Sequence, residues 1–356
     1  MRSFLLAISF LSYAIVRSQV PFISDQDRLM VFARDRILKL EPRPPRRSFP
    51  LEYQLVYEDH EGRLKVFMAD EPGLFLLQEN GVGQISASRE KLAWLSGDTL
   101  KVLEGRSAKP VAFEVDTFFV SDQLIVFRSG DQVRVSWNGR IHELFQVNEG
   151  DPSWIHGKNT VLFSDQGHLR LFHEGEIITL SDQADLSLAA TGNDIAAWWQ
   201  ADRGTLVWQK GAIHEISALR PIEVQCGNSI AAFTVPELGL MCFREGELHN
   251  VIPEIPSIFK VKDDLLVFLH EGKLELFGPV GRVLVEPYVP EWWEMNGDLL
   301  VYLDIDREVR GIQGGERLRF GKETNSRDPE LIGKTVIYTS PTGHATIIHE
   351  GRTYVF

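Results

Sequence analysis

The chain has 356 residues, of which 44% are hydrophobic and 24% are charged. This is the composition of a globular protein, and it excludes disordered and collagen-like chains. The formal net charge of −13, from 50 acidic and 37 basic residues, speaks against nucleic-acid binding, because a phosphate backbone requires a basic footprint.

The N-terminal segment has the three-part layout of a secretory signal peptide. Arg2 precedes an apolar run over residues 4–16, and Ser18 is a small residue directly before Gln19. The run of 13 residues is too short to span a bilayer comfortably. We predict cleavage after Ser18, which makes residues 1–18 a signal peptide and residues 19–356 an exported domain without a membrane span.

An aliphatic stretch that ends in an aromatic residue recurs along the rest of the chain. The aromatic ends are Phe32, Tyr57, Trp94, Phe127, Phe163, Trp198, Phe233, Phe268, Tyr302 and Tyr338. The first step is 25 residues, and all later steps lie between 33 and 37 residues. A fixed period in this range is typical of solenoids, propellers and arrays.

A second marker keeps the same period. Glycines in turn-like contexts stand at Gly139, Gly175, Gly211, Gly246, Gly281, Gly315 and Gly351. Several follow a polar residue or another glycine, a pairing that favours the two-residue turns of β-hairpins. In the copy over residues 151–183, we read four strands at 152–156, 160–164, 168–173 and 177–180, separated by such turns. Four short strands in about 35 residues, repeated, indicate propeller blades.

The stretch PSWIHGKNTVLFSDQGHLRLF (152–172) resembles the TolB-type and WD40-like propeller repeat, and related copies begin at residues 256 and 290. The resemblance covers nearly the whole exported domain and implies a fold without implying an activity. The usual Ser-Pro-Asp-Gly turn is replaced by His156-Gly157-Lys158, and the Trp-Asp dipeptide is absent.

We predict an all-β fold, a single large propeller of nine or ten short four-stranded blades, with two smaller propellers as the alternative. The first unit is expected to be incomplete, because the proline-rich residues 41–50 stand where its fourth strand should be. The domain begins with a predicted first strand at 21–24 and ends with a last strand at 352–356. This phasing lets the two termini meet and close the ring.

Two groups of side chains are candidate partner-binding residues. Trp154, Glu291, Trp292 and Trp293 stand on predicted first strands near the central channel, where aromatic rings either contact a peptide or sugar or pack between blades. Arg43, Arg46 and Arg47 form the one basic cluster, which is either an arm that docks on an acidic partner or a solvated loop.

The chain carries no recognisable catalytic or metal-binding motif, so we predict no catalytic residue, metal or cofactor. His-Glu-Gly occurs at 173–175, 270–272 and 349–351, and each copy is read as an exposed turn. Cys226 and Cys242 fall on the first and third strands of one unit, which are not neighbours, so both thiols are predicted to be free.

We therefore predict a non-enzymatic, exported propeller that binds protein. It would serve as an accessory subunit of a membrane-associated bacterial assembly in the periplasm or at the outer membrane, such as secretion machinery. This step rests on fold-level analogy. The alternative is a glycan-binding or glycan-hydrolysing propeller, and a hydrolase would need two carboxylates about 5–10 Å apart at the channel mouth.

Overall fold

The computed structural model describes residues 19–24, 26–70, 73–147, 154–183, 185–322, 327–339, 344–349 and 352–356. The predicted signal peptide, residues 1–18, and the turn glycine Gly351 lie outside the described residues. All regular elements in these ranges are β-strands. None of the described segments forms a helix that is long and apolar enough to cross a membrane.

The strands form ten antiparallel sheets of consecutive strands, which are the blades. Blade 1 contains β1 (Val20–Ile23), β2 (Leu29–Ala33) and β3 (Arg36–Glu41); blade 2 contains β4 (Arg47–Pro50), β5 (Gln54–Glu58), β6 (Leu64–Met68) and β7 (Gly73–Gln78); blade 3 contains β8 (Val82–Ala87), β9 (Leu92–Ser96), β10 (Thr99–Glu104) and β11 (Ser107–Ala112); blade 4 contains β12 (Thr117–Val120), β13 (Leu124–Ser129), β14 (Gln132–Trp137) and β15 (Arg140–Gln146); blade 5 contains β16 (Trp154–His156), β17 (Thr160–Asp165), β18 (His168–His173) and β19 (Glu176–Ser181).

The second half of the chain continues the same pattern. Blade 6 contains β20 (Ala189–Thr191), β21 (Ile195–Gln200), β22 (Gly204–Gln209) and β23 (Ala212–Ser217); blade 7 contains β24 (Glu223–Cys226), β25 (Ile230–Val235), β26 (Gly239–Arg244) and β27 (Glu247–Ile252); blade 8 contains β28 (Ile258–Lys262), β29 (Leu265–His270), β30 (Lys273–Gly278) and β31 (Gly281–Glu286); blade 9 contains β32 (Trp293–Asn296), β33 (Leu299–Leu303), β34 (Glu308–Gln313) and β35 (Glu316–Lys322); blade 10 contains β36 (Arg327–Ile332), β37 (Thr335–Thr339), β38 (Ala345–His349) and β39 (Arg352–Val355).

The blades close into one ring of ten. Val20 and Phe22 of blade 1 pack against Ile337 and Ile347 of blade 10 in a shared buried cluster. The Tyr354 hydroxyl also donates a hydrogen bond to the Asp35 carboxylate at 3.0 Å, which links the last strand to the first blade. The single closed propeller is thereby confirmed, and the two-propeller alternative is wrong.

The core lies between neighbouring blades and is built on the repeated aromatic residues. Trp94, Phe127, Phe163, Trp198, Phe233 and Phe268 have no exposed surface. Burial of one such side chain contributes roughly 1.5–3 kcal/mol. The 35-residue period therefore reflects one large buried side chain supplied by each blade to the contact between blades.

The outermost strands are protected at their free edges. In blades 2 to 9 the pairing between the third and fourth strand shifts register by one residue, which is a β-bulge. Bulges twist an edge away from foreign strands and so limit aggregation. The predicted Asn138-Gly139 turn is confirmed, because both residues have positive φ angles of 48° and 73°.

The sequence interpretation of the first unit was wrong about its fourth strand, because that strand is present as β3. The pairing of β2 with β3 carries the same bulge as the third and fourth strands of the other blades. Glu41 at the end of β3 accepts a hydrogen bond from the Tyr57 hydroxyl at 2.9 Å, as Glu286 at the end of the fourth strand of blade 8 does from Tyr302 at 2.8 Å.

Thus β1, β2 and β3 correspond to the second, third and fourth strands, and blade 1 lacks an innermost strand among the described residues. The aromatic residue equivalent to Tyr57 is Phe22, which lies 35 residues earlier in the sequence. Phe32 belongs to a third strand instead. This explains the anomalous first step of 25 residues, because Phe243 on a third strand also precedes Phe268 on a second strand by 25 residues.

The two ends of the ring differ in the connections that they carry. At one end, here called the turn face, the first strand of each blade turns into the second and the third turns into the fourth. At the other end, called the loop face, lie the turns between second and third strands and the connections between blades. The first strands line the central channel between the two faces.

Candidate functional site

The turns between first and second strands surround a cavity of about 670 Å³ at the turn face. Blades 2 to 10 all contribute to its wall, and charged side chains among its lining residues are Glu52, Arg89, Asp122, Lys158, Lys262, Asp263 and Glu330. A concave site with convergent polar groups is the default candidate for a binding site. We call this cavity the channel mouth.

Three glycines allow the turns around the channel mouth to approach each other closely. Gly157, Gly192 and Gly227 occupy the same position in blades 5, 6 and 7. A Cβ atom on Gly157 or Gly192 would overlap the backbone carbonyl oxygen of the next glycine in this series, and one on Gly227 would overlap that of Asp263. The backbone can therefore reach the next turn only where no side chain intervenes.

This close approach produces a series of backbone hydrogen bonds from blade to blade. The Lys158 N–H donates to the Gly192 carbonyl at 3.0 Å, and the Asn193 N–H donates to the Gly227 carbonyl at 3.2 Å. The Asn228 N–H continues the series to the Asp263 carbonyl at 2.6 Å. The inner turns of blades 5 to 8 are thus joined by their main chains.

A charged pair spans the channel mouth. The Lys158 ammonium of blade 5 donates to the Asp263 carboxylate of blade 8, and it lies 3.9 Å from the Asp122 carboxylate of blade 4. Asp263 is buried, and its second oxygen accepts the Gly297 N–H of blade 9 at 2.7 Å. Burial alone would raise the pKa of Asp263, but the hydrogen bond and charge of Lys158, with the Gly297 N–H, outweigh it and the pKa is lowered.

Burial also shifts the pKa of three other ionisable groups in or beside the channel mouth. Burial, with the nearby charges of Asp122 and Glu52, raises the pKa of Glu90. Burial and the charge of Glu294 raise the pKa of Glu330. The His156 ring lines the channel and stacks on the Phe119 ring at a centroid distance of 5.2 Å, and desolvation by the surrounding protein lowers its pKa.

These contacts indicate that the channel mouth braces the ring. Arg89 donates to Glu52 at 3.1 Å and Lys158 to Asp263, so its cations are largely bonded to carboxylates of other blades. No group of three or more His, Cys, Asp or Glu side chains is placed to hold a metal ion within the described part of the chain. The His173 ring, one of the predicted turn histidines, instead contacts the Asp194 carboxylate at 3.3 Å.

The predicted tryptophans Trp154 and Trp293 lie between blades at the channel. Trp154 is half-buried, and its ring centroid lies 5.9 Å from that of Phe119 and 6.4 Å from that of Phe145. The Lys260 ammonium lies 5.0 Å from the centroid of the Trp293 ring. Both rings thus already contact side chains of the propeller itself, and partner binding by them stays a prediction.

The predicted residues Glu291 and Trp292 stand at the loop face, at the entry to blade 9. Trp292 is half-buried against the cluster between blades 9 and 10. The Glu291 carboxylate is 77% exposed and bonds to the Arg307 guanidinium at 3.1 Å. The structure does not bring these two residues together with Trp154, which belongs to blade 5.

The basic cluster lies in the connection from blade 1 to blade 2 and at its end. Arg46 and Arg47 both contact the carboxylate of the buried Glu58, at 3.5 Å and 2.6 Å. Arg43 is exposed in the same connection. Two of the three arginines therefore compensate a buried charge of their own blade.

Cys226 lines the channel mouth, whereas Cys242 is buried between blades 7 and 8, and both are free thiols. Burial raises the pKa of the Cys242 thiol to about 12 and raises that of Cys226 as well. Both thiols are therefore neutral at ordinary pH and poor nucleophiles.

The loop face carries a feature that the sequence reasoning missed. Exposed aliphatic side chains stand at the loop face in each of blades 7, 8 and 9; they are Ile222 (55% exposed), Ile255 (48%), Ile258 (48%), Val289 (49%) and Ile305 (77%). We call these five residues the aliphatic row. Its sequence signal is an aliphatic residue next to a proline in three successive connections, Pro221-Ile222, Ile255-Pro256 and Val289-Pro290.

Comparison with known proteins gives a family and a fold. A family model described as a 10-bladed beta propeller domain matches residues 14–354. No curated protein sequence matches the chain. The matching model is not a TolB-type one, so that finer assignment stays a prediction.

Among solved structures, a crystal structure titled as the eukaryotic initiation factor aligns with a TM-score of 0.52 at 11% identity, over 86% of this chain and 97% of that chain. The computationally designed Ika8 protein aligns with a TM-score of 0.37 at 14% identity, over 76% and 96%. Hsv2p of Kluyveromyces lactis aligns with a TM-score of 0.31 at 12% identity, over 64% and 90%. At such low identity the first likeness concerns the fold alone.

Proposed function

The chain belongs to the ten-bladed β-propeller family, and we propose that it is a non-enzymatic propeller that binds a protein partner through its loop face. The observation that carries this proposal is the aliphatic row. Its members are roughly half to three-quarters exposed and stand on three successive blades. Exposed apolar patches with a polar rim are typical of protein interfaces.

The charges beside the aliphatic row indicate the chemistry of the partner. Glu223, Glu254 and Glu291 stand in the same three blades, next to the aliphatic residues. The Glu254 and Glu291 side chains are 60% and 77% exposed. A partner surface with an apolar centre and flanking lysines or arginines would complement this arrangement, and the charges would act mainly on the association rate.

We further propose that the assembly is membrane-associated and lies in a bacterial envelope, for example as part of secretion machinery. The support is the apolar run over residues 4–16, which has the layout of an export signal. The glycan alternative has less support, because Trp154 and Trp293 already contact Phe119 and Lys260 of the propeller.

The experiment compares two double variants in the native host after gentle solubilisation. Ile255→Glu with Ile305→Glu places charges in the aliphatic row. Ile177→Glu with Ile213→Glu is the control, because these isoleucines are also exposed, at 41% and 40%, but lie on outermost strands. A stoichiometric protein that co-purifies with wild type and control, and is lost with the first variant, supports the proposal. A partner retained by both variants, or a wild-type chain that purifies alone, contradicts it.

A further inference from the structure

His270 stands near the aliphatic row, at the loop-face end of β29 in blade 8. Its side chain is only 12% exposed, and neither ring nitrogen makes a hydrogen bond with any residue that the structure describes. A carboxylate oxygen nevertheless lies near each nitrogen: Glu254 Oε2 is 3.3 Å from Nε2, and Glu275 Oε1 is 3.6 Å from Nδ1. The imidazole ring therefore lies between two carboxylates, one beside each nitrogen.

The two carboxylates differ in how firmly they are held. Glu275 on β30 is buried, and Arg282 on β31 donates to both of its oxygens, at 2.5 Å and 3.0 Å. Arg282, with a smaller contribution from His270, lowers the pKa of Glu275, so this carboxylate stays ionised. Glu254 lies in the connection from blade 7 to blade 8, and its side chain is 60% exposed. Glu275 is therefore fixed, whereas Glu254 has room to turn into solvent.

The protonation state of His270 decides how the two carboxylates can be satisfied. A charged imidazole has two N–H donors, so it can bond to Glu254 and Glu275 at the same time. A neutral imidazole has one donor, and its other nitrogen presents a lone pair. The single donor is needed at Glu275, because a buried charge is costly to leave without hydrogen bonds. The lone pair of Nε2 then faces the Glu254 carboxylate and repels it, so deprotonation of His270 releases Glu254.

The other charged groups around His270 are engaged elsewhere. Glu271, in the turn that follows His270, accepts a hydrogen bond from Lys273 at 2.9 Å. Arg282 is bonded to Glu275. The facing strand of blade 7, β27, ends in the uncharged residues 251 and 252, which pack against blade 8. Because histidine is the side chain whose charge changes between about pH 5 and pH 8, the contact with Glu254 should respond to pH in that range.

The connection that carries Glu254 also carries part of the aliphatic row. Glu254 directly precedes Ile255, which is exposed at the loop face. The same connection ends at Ser257, whose N–H donates to the Leu269 carbonyl at 3.1 Å, one residue before His270. Movement of the Glu254 carboxylate toward His270 or away from it therefore changes the charge that a partner meets beside Ile255.

We propose that His270 is a pH-dependent positioning residue for the acidic flank of the aliphatic row. The charged ring holds Glu254 against blade 8, whereas the neutral ring leaves Glu254 free to contact a cationic group of the partner. Acidification should therefore weaken the partner complex roughly two- to fivefold, which is the size expected for one exposed charge pair. This consequence for binding rests on the proposed function, but the contact between His270 and Glu254 does not.

The first test measures this contact in the propeller alone. Hydrogen exchange of peptides that cover residues 253–258 is compared at about pH 5.5 and about pH 7.5, after correction for the intrinsic exchange rate. The wild type should be better protected at the lower pH. The difference should disappear in His270→Gln and shrink in Glu254→Gln, a substitution at an exposed position. Equal protection of the wild type at both pH values, or a difference that persists in His270→Gln, would overturn the proposal.

His173→Gln is the matched control for the first test. The His173 side chain is 14% exposed and lies 3.3 Å from the Asp194 carboxylate, but it stands at the turn face. This variant should keep the pH difference of the wild type in peptides 253–258. Loss of the difference in His173→Gln would show that it does not arise at His270.

The second test measures binding of the protein that co-purifies with the wild-type propeller. Its dissociation constant is determined at the same two pH values for the wild type, His270→Gln and His173→Gln. The first and third proteins should bind roughly two- to fivefold more weakly at the lower pH, and His270→Gln should bind equally at both. The same pH dependence in all three proteins would overturn the role of His270 in binding. Absence of any co-purifying protein contradicts the proposed function alone, because the first test needs no partner.

Discussion

At the turn face, charged side chains of different blades bond to one another, whereas at the loop face aliphatic side chains of successive blades are left exposed to solvent. Lys158 and Asp263 join blades 5 and 8 at the first face. Ile255, Val289 and Ile305 are exposed at the second. Charged residues that converge on a channel suggest a ligand site, yet here Arg89, Lys158 and Asp263 bond to other groups of the propeller. The exposed apolar surface is therefore the better candidate for function.

The difference between the two faces also follows from the free energy of burying a charge compared with that of exposing an isoleucine. A charge buried at the channel must be paired, because desolvation of an unpaired carboxylate or ammonium is unfavourable by several kcal/mol. An exposed isoleucine costs little in the free protein, but its burial against a partner contributes about 25 cal/mol per Å². The charged pairs of the turn face therefore contribute to the stability of the ring. The exposed isoleucines of the loop face leave apolar surface that a partner can bury.

The largest effect is expected from a substitution that separates the inner turns. The Cβ atom of Gly192→Ala would overlap the Gly227 carbonyl oxygen, so the two turns must move apart. We expect a loss of on the order of 3 kcal/mol in the free energy of unfolding, or no folded protein. Gly211→Ala, at an open turn with a φ of 87°, is the control and should cost only about 1 kcal/mol. Equal losses in urea unfolding would show that the close approach is unimportant.

A smaller effect is expected when the charged pair across the channel is broken. Lys158→Met leaves the buried Asp263 carboxylate with the Gly297 N–H and without its cation. Because the Lys158 side chain is 34% exposed, we expect a loss of about 1–2 kcal/mol, below the value for a fully buried pair. Lys273→Met removes the exposed contact with Glu271 and should change stability by less than about 0.5 kcal/mol. If both variants unfold at the same denaturant concentration, the channel pair does not brace the ring.

The same pair makes stability depend on pH in a defined direction. The folded pKa of Asp263 is lowered, so its contribution is fully present above the unfolded pKa of about 3.9 and is lost as the pH falls through the folded value. We expect the free energy of unfolding of the wild type to fall as the pH drops below about 4 and that of Asp263→Asn to fall less. Parallel curves for the two proteins would mean that Asp263 has the same pKa in both states.

The smallest effect on stability is expected at the loop face. Ile305 is 77% exposed, so Ile305→Glu should change the free energy of unfolding by less than about 0.5 kcal/mol. The same substitution should weaken partner binding, because it places a charge in the aliphatic row. A strongly destabilised Ile305→Glu protein in thermal unfolding would show that this side chain supports the fold instead.

The sequence predicted the repeat well because each blade must supply the same buried aromatic residue. The sequence interpretation assigned Phe32 to a second strand, because Phe32 also ends an aliphatic stretch. The bulge in the pairing of β2 with β3 shows that Phe32 belongs to a third strand. Gly157, Gly192 and Gly227 recur at the same period in the sequence. The sequence alone does not show that each of them allows a close backbone contact with the next blade.

The sequence did not allow the contacts across the channel to be predicted. Lys158 and Asp263 are 105 residues apart, and they meet only because the ring brings blades 5 and 8 to one mouth. The ion pairs of the basic cluster could not be predicted for a related reason, since the buried Glu58 that Arg46 and Arg47 contact belongs to the second strand of blade 2, and partner binding by this cluster stays a prediction. Side-chain pairing in a closed ring depends on which turns face each other, and a period alone does not specify this.

Hydrogen exchange of the propeller with and without its purified partner tests the central claim most directly. Peptides that cover residues 219–223, 253–258, 287–292 and 304–307 carry the loop-face connections of blades 7 to 9. Slower exchange in these peptides on binding, with no change around Gly157, Lys158 and Asp263, is the result we expect. Protection confined to the channel mouth, with the loop face unchanged, would contradict the account.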